Sequence, residues 1–400
     1  PNKFGKEVNF FTNNYKKNTK EYIWYNKKIN NFTCDTIYFI YKKQTKNIIQ
    51  NKYLKIIPNE YDLENISFDD NVYYIKNTEI IQELCILYDS INNNASGDWK
   101  WISENKYKDI DLYFKEKNIN KLEELYCNFA RNNLSFGIIS NGIYEKIKND
   151  NELLENFKQS ILNDIDTCIE LCEINDLNIL ESERIGNFYG IKKNNIFITS
   201  DNIRHYYCAY KINTFLSQIN YPIIMEIGGG YGGLLINLLK IMNKKFCYIN
   251  VDIKNTLLVF YYYIKNYINI NKLELKIFFG IDEEITNEII KNNDIILICN
   301  DNQNKIKCKI DLVFNSHSLS EMSKYDMEEY FETIHKLKIQ HIFHVNSIYF
   351  PWKKSDRGHI QISTKNFPIN NKSYKKIYQC ISPWMCGSGR YREYYYLLRI

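Results

Sequence analysis

Hydrophobic residues between positions 78 and 220 recur three and four residues apart, which is the spacing of one face of an α-helix. The pattern predicts four helical stretches: Ile80–Leu87, Leu122–Phe129, Leu153–Cys172 and Ile203–Ile219. Residues 1–75 are rich in Lys, Asn and Tyr, with short apolar runs such as Thr36–Tyr41, and this predicts strands or an irregular meander.

From position 222, short apolar runs alternate with helical patterns. The predicted strands are Pro222–Ile227, Phe246–Val251, Leu273–Phe279, Ile295–Cys299, Asp311–Asn315 and His341–Val345, and then two β-rich runs, Tyr374–Ile381 and Glu393–Ile400. The helices predicted between them are Leu234–Met242, Thr256–Ile268, Glu283–Lys291 and Met327–Leu337. This alternation, closed by a β-pair, predicts an α/β fold whose mostly parallel sheet ends in an antiparallel strand. The predicted organisation is an extension of uncertain structure at 1–75, a helical lead-in or lid region at 76–220, and a ligand-binding domain at 221–400.

Composition narrows the classes of protein. A net charge of +5, from 52 basic and 47 acidic residues, falls short of the basic stripe of a nucleic-acid binder, so no nucleic-acid partner is expected. The 11 cysteines include no C-x-x-C pair, which favours free thiols in the cytoplasm over disulfides or structural zinc. No apolar run reaches the ~20 residues of a membrane span. Position 1 is Pro, which suggests a processed chain or a piece of a longer polypeptide.

The run Glu226-Ile-Gly-Gly-Gly-Tyr-Gly-Gly233 is the sharpest motif in the chain. Glycine permits a tight turn from strand to helix and a close approach of a ligand to the backbone. The start of the helix then offers free N–H groups to an anionic group. Gly228, Gly230 and Gly232 fit a loop that binds S-adenosylmethionine, while Gly228, Gly230 and Gly233 also fit the G-x-G-x-x-G of dinucleotide-binding loops.

Carboxylates favour S-adenosylmethionine over a nicotinamide cofactor. Glu226 ends the strand, where it can accept a hydrogen bond from the amino group of the ligand but would repel a pyrophosphate. Asp252 follows the next strand and can bind both ribose hydroxyls, which either cofactor would allow. Asp301, in the polar turn Asn300-Asp-Asn302, is a candidate contact for the adenine amino group; a simple surface turn fits equally well.

A second polar cluster, Asn315-Ser-His-Ser-Leu-Ser-Glu-Met322, leaves the end of a predicted buried strand. Open α/β sheets bind ligands at that edge, so Asn315 is predicted to line the cofactor site. His317 is the first candidate for the general base that a poor nucleophile needs, and His359 is the second. Glu321 is the third catalytic candidate, and together with Asp356 it could instead hold a divalent metal.

The segment Trp384–Glu393 combines an aromatic residue, glycines and two arginines. Sugars stack on aromatic faces, and arginine forks pair with the diphosphate of nucleotide sugars. Trp384, Arg390 and Arg392 are therefore candidate contacts for an acceptor. A hairpin loop with surface arginines is the alternative. Arg204 and His205, on the helix before the first strand, are expected either to close over the cofactor or to have a structural role.

Taken together, the glycine motif, Asp311-Leu-Val-Phe-Asn315 and Ser318-Leu-Ser-Glu-Met-Ser323 resemble the sugar O-methyltransferase family of surface-polysaccharide clusters. Upstream, Phe129–Gly137, Ile185–Asn187 and Arg204–Tyr207 resemble the helical lead-in of that family, so the resemblance covers roughly residues 120–400. It implies a class I methyltransferase (Rossmann-like) fold, S-adenosylmethionine as cofactor, and a sugar or nucleotide-sugar hydroxyl as acceptor. Phe188 departs from the family pattern, which has Pro after Gly-Asn.

Three alternatives remain open from the sequence. An NAD-dependent nucleotide-sugar oxidoreductase fits the glycine spacing but not Glu226 or the terminal β-pair. A non-catalytic scaffold with the same fold has no need of the loop carboxylates. A nucleic-acid methyltransferase lacks support from an N/D-P-P-Y-type motif or a dense basic patch. The acceptor sugar, metal dependence and oligomeric state are open at this point.

Overall fold

A single eight-stranded sheet organises the second half of the chain. The computed structural model describes residues 26–29, 32–35, 66–92, 95–139, 147–348, 360–384 and 391–399. The strands of this sheet are β6 (Ile223–Ile227), β7 (Cys247–Asp252), β8 (Ile277–Gly280), β9 (Ile295–Cys299), β10 (Leu312–Ser316), β11 (His341–Ser347), β12 (Tyr374–Ile381) and β13 (Tyr391–Leu398). Their spatial order is β12-β13-β11-β10-β6-β7-β9-β8, and β13 alone runs against the others. The predicted mostly parallel sheet with an antiparallel terminal strand is confirmed: β13, the last strand along the chain, is the reversed one and lies between β11 and the edge strand β12.

Burial explains why these segments form the centre of the sheet. Every residue of β6, β7, β9 and β11 is buried, as expected for parallel strands covered on both faces. Successive residues of β6 point to opposite faces, so Ile224 packs in one apolar cluster while Ile223 and Met225 pack in the other.

Helices cover both faces of the sheet and continue into the first half of the chain. They are α1 (Thr78–Ser90), α2 (Gly97–Asn105), α3 (Lys108–Lys115), α4 (Ile119–Cys127), α5 (Asn151–Cys172), α6 (Ser200–Phe215), α7 (Gly233–Ile241), α8 (Lys254–Asn271), α9 (Asn287–Asn292), α10 (Ser318–Glu321) and α11 (Lys324–Lys336). Helices α1 to α6 share one continuous apolar cluster with α7, α8 and one face of the sheet. The predicted lead-in region therefore packs directly on the predicted ligand-binding domain. Among the described residues no helix is long and apolar enough to cross a membrane.

The lead-in region also contains two strands that the helical pattern does not predict, β4 (Gly190–Lys193) and β5 (Ile196–Ile198). Together with β3 (Ile66–Asp69), which lies in the predicted extension at 1–75, they form a three-stranded antiparallel sheet. Asn194 and Asn195 join β4 to β5 with φ of 50° and 67°, the two positive values that a type I′ hairpin turn requires. Further upstream, β1 (Asn26–Ile29) pairs with β2 (Phe32–Asp35). The run Thr36–Tyr41 lies outside the described residues.

Local capping explains two of the predicted element boundaries that are wrong. The strand predicted from Leu273 begins only at Ile277, because α8 extends to Asn271 and is closed by Lys272 in the left-handed conformation. The helix predicted from Glu283 begins only at Asn287, because the side chain of Thr286 caps it by accepting from the N–H of Ile289.

Candidate functional site

A cleft opens at the carboxyl ends of β6, β7, β9 and β10, where the two halves of the sheet diverge. Parallel α/β sheets bind ligands at this edge. One side of the cleft is the loop 226–233 between β6 and α7, which we call the glycine loop. The other side, which we call the facing wall, is formed by Ser96, Gly97 and Trp99 at the start of α2 and by Gly137 and Ile138.

The three alternate glycines of the glycine loop have different tasks. All have positive φ, at 74° for Gly228, 59° for Gly230 and 94° for Gly232. A Cβ on Gly228 would lie 2.2 Å from Ser318 Oγ, and one on Gly232 would lie 2.9 Å from Ile264, so packing excludes side chains there. A Cβ on Gly230 would meet only the Ile138 side chain, at 3.1 Å. Gly230 is thus the position where bare backbone faces the cleft.

Side chains of β7 fix the conformation of the glycine loop. Asn250 Oδ1 accepts from the N–H of Gly229 at 3.1 Å, and Asp252 Oδ2 accepts from the N–H of Gly230 at 3.1 Å. Asn250 is a loop-holding residue that the sequence analysis missed, since only its register beside Glu226 on the adjacent strand reveals it.

Glu226 and Asp252 place two buried carboxyl groups in the cleft. Burial raises the pKa of Glu226 to about 8, against the opposing effect of the hydroxyl of Tyr248, which donates to Oε2. Burial likewise raises the pKa of Asp252 to about 7, while the N–H groups of Ile253 and Gly230 stabilise its charged form. Both carboxyl groups therefore titrate near neutral pH, and a ligand that stabilised their charged forms would lower both pKa values.

The predicted adenine contact lies beside the cleft rather than in its lining. Asp301 is exposed on a short 3₁₀ segment, and the cleft is lined instead by its neighbour Asn300. The 3₁₀ turn rotates successive side chains by about a third of a turn, which separates these two residues.

Asn315 is buried beneath the cleft and hydrogen-bonds to three other segments of the chain. Its Nδ2 donates to the carbonyl of Ile227 at 2.8 Å and to Ser318 Oγ at 2.6 Å, and its Oδ1 accepts from Asn346 Nδ2 at 2.7 Å. These bonds join β6, β10 and β11 at the level of the glycine loop. The predicted cofactor contact of Asn315 stays a prediction, and its observed contacts are with the protein itself.

His317 lines the cleft with a strained backbone, at φ 72° and ψ −44°. Non-glycine residues adopt such angles rarely, and mostly at functional sites. Nη1 of Arg204 lies 3.3 Å from Nδ1 of His317, and Nη2 of Arg204 donates to Asp201 at 3.1 Å. A guanidinium can only donate, so Nδ1 accepts and a neutral His317 carries its proton on Nε2. In this tautomer Nε2 of His317 can donate a hydrogen bond, and the base role of His317 stays a prediction.

Glu321 sits where α10 meets the facing wall. Its Oε2 accepts from Nε1 of Trp99 at 3.2 Å, and both residues line the cleft. Asp326, at the start of α11, also lines the cleft and accepts a hydrogen bond from the hydroxyl of Ser96. The sequence analysis missed Trp99 and Asp326. Trp99 is separated from Glu321 by 222 residues, and Asp326 from Ser96 by 230 residues, and no local pattern indicates that these residues meet.

Of the three predicted acceptor contacts, the structure describes Trp384 and Arg392. Trp384 is buried against Tyr207 of α6, with the ring centroids 5.4 Å apart, and does not line the cleft. Arg392 lies on β13 opposite Asn346. His359, Asp356 and Arg390 lie outside the described residues. No group of three potential metal ligands occurs among the residues that the structure describes.

Comparisons with known proteins find similarity in structure alone. No protein-family model and no curated protein matches the sequence. Among solved structures, the methyltransferase domain of bacterial CtHen1 aligns at 13% identity over 48% of this chain and 97% of that chain, with a TM-score of 0.33. Magnesium protoporphyrin IX methyltransferase (ChlM) from Synechocystis PCC 6803, with bound SAH, aligns at 11% over 50% and 86%, with a TM-score of 0.34.

A SAM-dependent methyltransferase from Aquifex aeolicus aligns at 12% identity over 48% of this chain and 89% of that chain, with a TM-score of 0.33. Likeness at this level carries no information on substrate. The mostly parallel sheet with its single reversed strand, covered by helices, fits the class I methyltransferases. The fold is a class I methyltransferase (Rossmann-like) fold.

Proposed function

We propose that this protein is an S-adenosylmethionine-dependent O-methyltransferase that acts on a sugar hydroxyl. The observation that carries the proposal is the convergence of Gly230, Glu226 and Asp252 on one cleft at the carboxyl edge of the sheet. Bare backbone and two buried carboxyl groups that can accept hydrogen bonds suit a cationic nucleoside bearing an amino group and two ribose hydroxyls.

The glycine loop and the strand ends beside it then each contribute to binding. The backbone at Gly230 would pass close to the cofactor, Glu226 would accept from its amino group, and Asp252 would accept from the ribose hydroxyls. Asn300, which lines the cleft, would contact the adenine base. When bound, the cofactor supplies an electrophilic methyl group on a sulfonium. A pyrophosphate in the same place would face the buried Glu226, which disfavours the NAD-dependent alternative.

Charge in the cleft favours an uncharged acceptor. Four acidic residues line the described part of the cleft: Glu226, Asp252, Glu321 and Asp326. Arg204 is the only Lys or Arg among the described lining residues, and it is paired with Asp201. Polyanions such as nucleic acid need a cationic surface, so this lining suits a neutral hydroxyl compound better.

Two experiments test the proposal. Calorimetry should show heat with S-adenosylhomocysteine and none with NAD; no heat with S-adenosylhomocysteine would favour a non-catalytic scaffold. Incubation with methyl-labelled S-adenosylmethionine and a panel of nucleotide sugars, deoxysugar glycans and RNA should place label in a carbohydrate product. Label that appears only in nucleic acid or protein would refute the acceptor assignment.

A further inference from the structure

We propose that Glu321 is the catalytic residue that accepts the acceptor's proton, and that the acceptor ring binds beside Trp99, so that the facing wall completes the acceptor subsite. This inference rests on the proposed function and adds to it the position of the acceptor, the residue that activates it and the part of the chain that selects it.

The position of Glu321 supports this role. Helix α10 is a single turn that follows β10 directly, and Glu321 ends it at the cleft. The indole N–H of Trp99 donates to Oε2 and holds the carboxylate in one orientation. A carboxylate offers about four lone-pair positions and can accept from a substrate hydroxyl while it also accepts from the indole.

The backbone of α2 fixes Trp99 against Glu321. Gly97 has φ of 56°, and a Cβ there would lie 2.1 Å from the carbonyl oxygen of Glu321. The N–H of Ser323 donates to Ser96 Oγ at 3.1 Å, and the Ser96 hydroxyl donates to Asp326. On its other side, the ring of Trp99 lies against Gly137, where a Cβ would be only 2.9 Å away. Trp99 is thus held from both sides.

The neighbouring histidine is already committed. Nδ1 of His317 accepts from Arg204, so the proton on Nε2 can be donated but no lone pair is left there to take one. The His317 ring also lies against Tyr391, at 4.4 Å between centroids. His317 therefore acts as a positioning residue in this scheme, and the base role falls to Glu321, the cleft carboxylate that accepts from Trp99.

The chemistry balances with these groups. The acceptor oxygen forms a bond to the methyl carbon while the bond from that carbon to sulfur breaks, and sulfur keeps the electron pair. The hydroxyl proton passes to the Glu321 carboxylate and then to solvent. An aromatic side chain beside a carboxylate suits a ring with an apolar face and neighbouring hydroxyls, which is the chemistry of a neutral sugar ring.

The test compares three variants with the wild-type protein and a matched control. Glu321→Gln keeps the acceptor for the Trp99 N–H but removes the base, and His317→Gln keeps a donating side chain. Trp99→Ala removes the ring, and Trp101→Phe changes a tryptophan on the same helix that does not line the cleft. Thermal melting checks the fold of each variant, calorimetry measures S-adenosylhomocysteine affinity, and methyl transfer is assayed on a pool of methyl glycosides of hexoses and 6-deoxyhexoses.

We expect Glu321→Gln to lower kcat by about 10²-fold or more and to remove the acidic limb of the pH profile. Trp99→Ala should raise the glycoside KM by about tenfold, and His317→Gln should lower kcat much less than Glu321→Gln does. Trp101→Phe should match the wild type. Affinity for S-adenosylhomocysteine should change less than about threefold in all of them.

Two results would overturn the inference. The first is methylation of the glycosides that survives in Glu321→Gln but is lost in His317→Gln. This result would overturn the inference and leave the proposed function intact. Wild-type protein that binds S-adenosylhomocysteine but methylates no glycoside would overturn the inference together with the sugar assignment. Absence of S-adenosylhomocysteine binding would reject the proposed function itself.

Discussion

The two sides of the cleft are built in opposite ways. The glycine loop is a contiguous stretch of eight residues, held by side chains of the neighbouring strand β7. The facing wall combines the start of α2 with Gly137 and Ile138, and it meets Glu321 and Asp326 more than 200 positions along the chain. One side depends on local backbone conformation, and the other depends on long-range docking. This difference predicts that changes to the first will affect cofactor binding and changes to the second will affect the acceptor.

The largest effect is expected at Gly230. Gly230→Val should lower affinity for S-adenosylhomocysteine by at least about 100-fold, because valine is strained at φ 59° and its branched side chain would occupy the ligand's position beside Ile138. Gly230→Ala should give an intermediate loss. Calorimetry measures the affinity, with melting curves as a control for folding. Unchanged affinity in a folded Gly230→Val variant would place the cofactor elsewhere.

The next largest effect is the pH dependence of cofactor binding at Glu226 and Asp252. Glu226 and Asp252 hold protons in the unliganded fold up to about pH 8 and pH 7, but must be charged to bind the cofactor as proposed. Affinity for S-adenosylhomocysteine should therefore rise from pH 6 to pH 8.5, by up to about tenfold per pH unit for each group. Calorimetry across this range measures it, and Glu226→Gln should flatten the upper part of the curve.

The same shifts fix the sign for stability. Both pKa values are raised above the usual values of 4.5 and 3.8, so the folded state binds protons that the unfolded chain has released. Their contribution to the free energy of unfolding is present at low pH and is lost as the pH rises through about 7 to 8. For binding, an affinity for S-adenosylhomocysteine that stays flat from pH 6 to pH 8.5 would show that neither carboxyl group contacts the cofactor.

A substitution in the facing wall should separate the two sides. Gly97→Ala places a Cβ against the backbone of Glu321 and strains a positive φ, so it should displace α2 and Trp99. We expect the acceptor KM to rise by about tenfold while affinity for S-adenosylhomocysteine stays within about threefold. Lys100→Ala, on the exposed face of the same helix, is the matched control. Equal losses of cofactor and acceptor binding would mean that the two sides work as one unit.

The smallest effect distinguishes two neighbouring residues, Asn300 and Asp301, as contacts for the adenine of the cofactor. Asn300→Ala should weaken S-adenosylhomocysteine binding by about fivefold, the usual value of one hydrogen bond, because Asn300 lines the cleft. Asp301→Ala should have little effect, because Asp301 is exposed. The reverse pattern, measured by the same calorimetry, would support the Asp301 contact predicted from sequence.

The sequence by itself determined the sheet and one side of the site. Continuous apolar runs such as Ile295–Cys299 can be satisfied only by burial on both faces, and the motif Glu226–Gly233 carries its turn within its own residues. Loop glycines and strand-end carboxylates are readable because their requirements are local.

Only the tertiary structure decided the rest. The meeting of Trp99 with Glu321 and the pairing of Arg204 with His317 join segments far apart in sequence. Asp301 and Asn300 are separated by the rotation of one 3₁₀ residue, which composition cannot reveal. These contacts follow from how the helices dock on the sheet, and docking depends on the shapes of whole buried faces rather than on any local pattern.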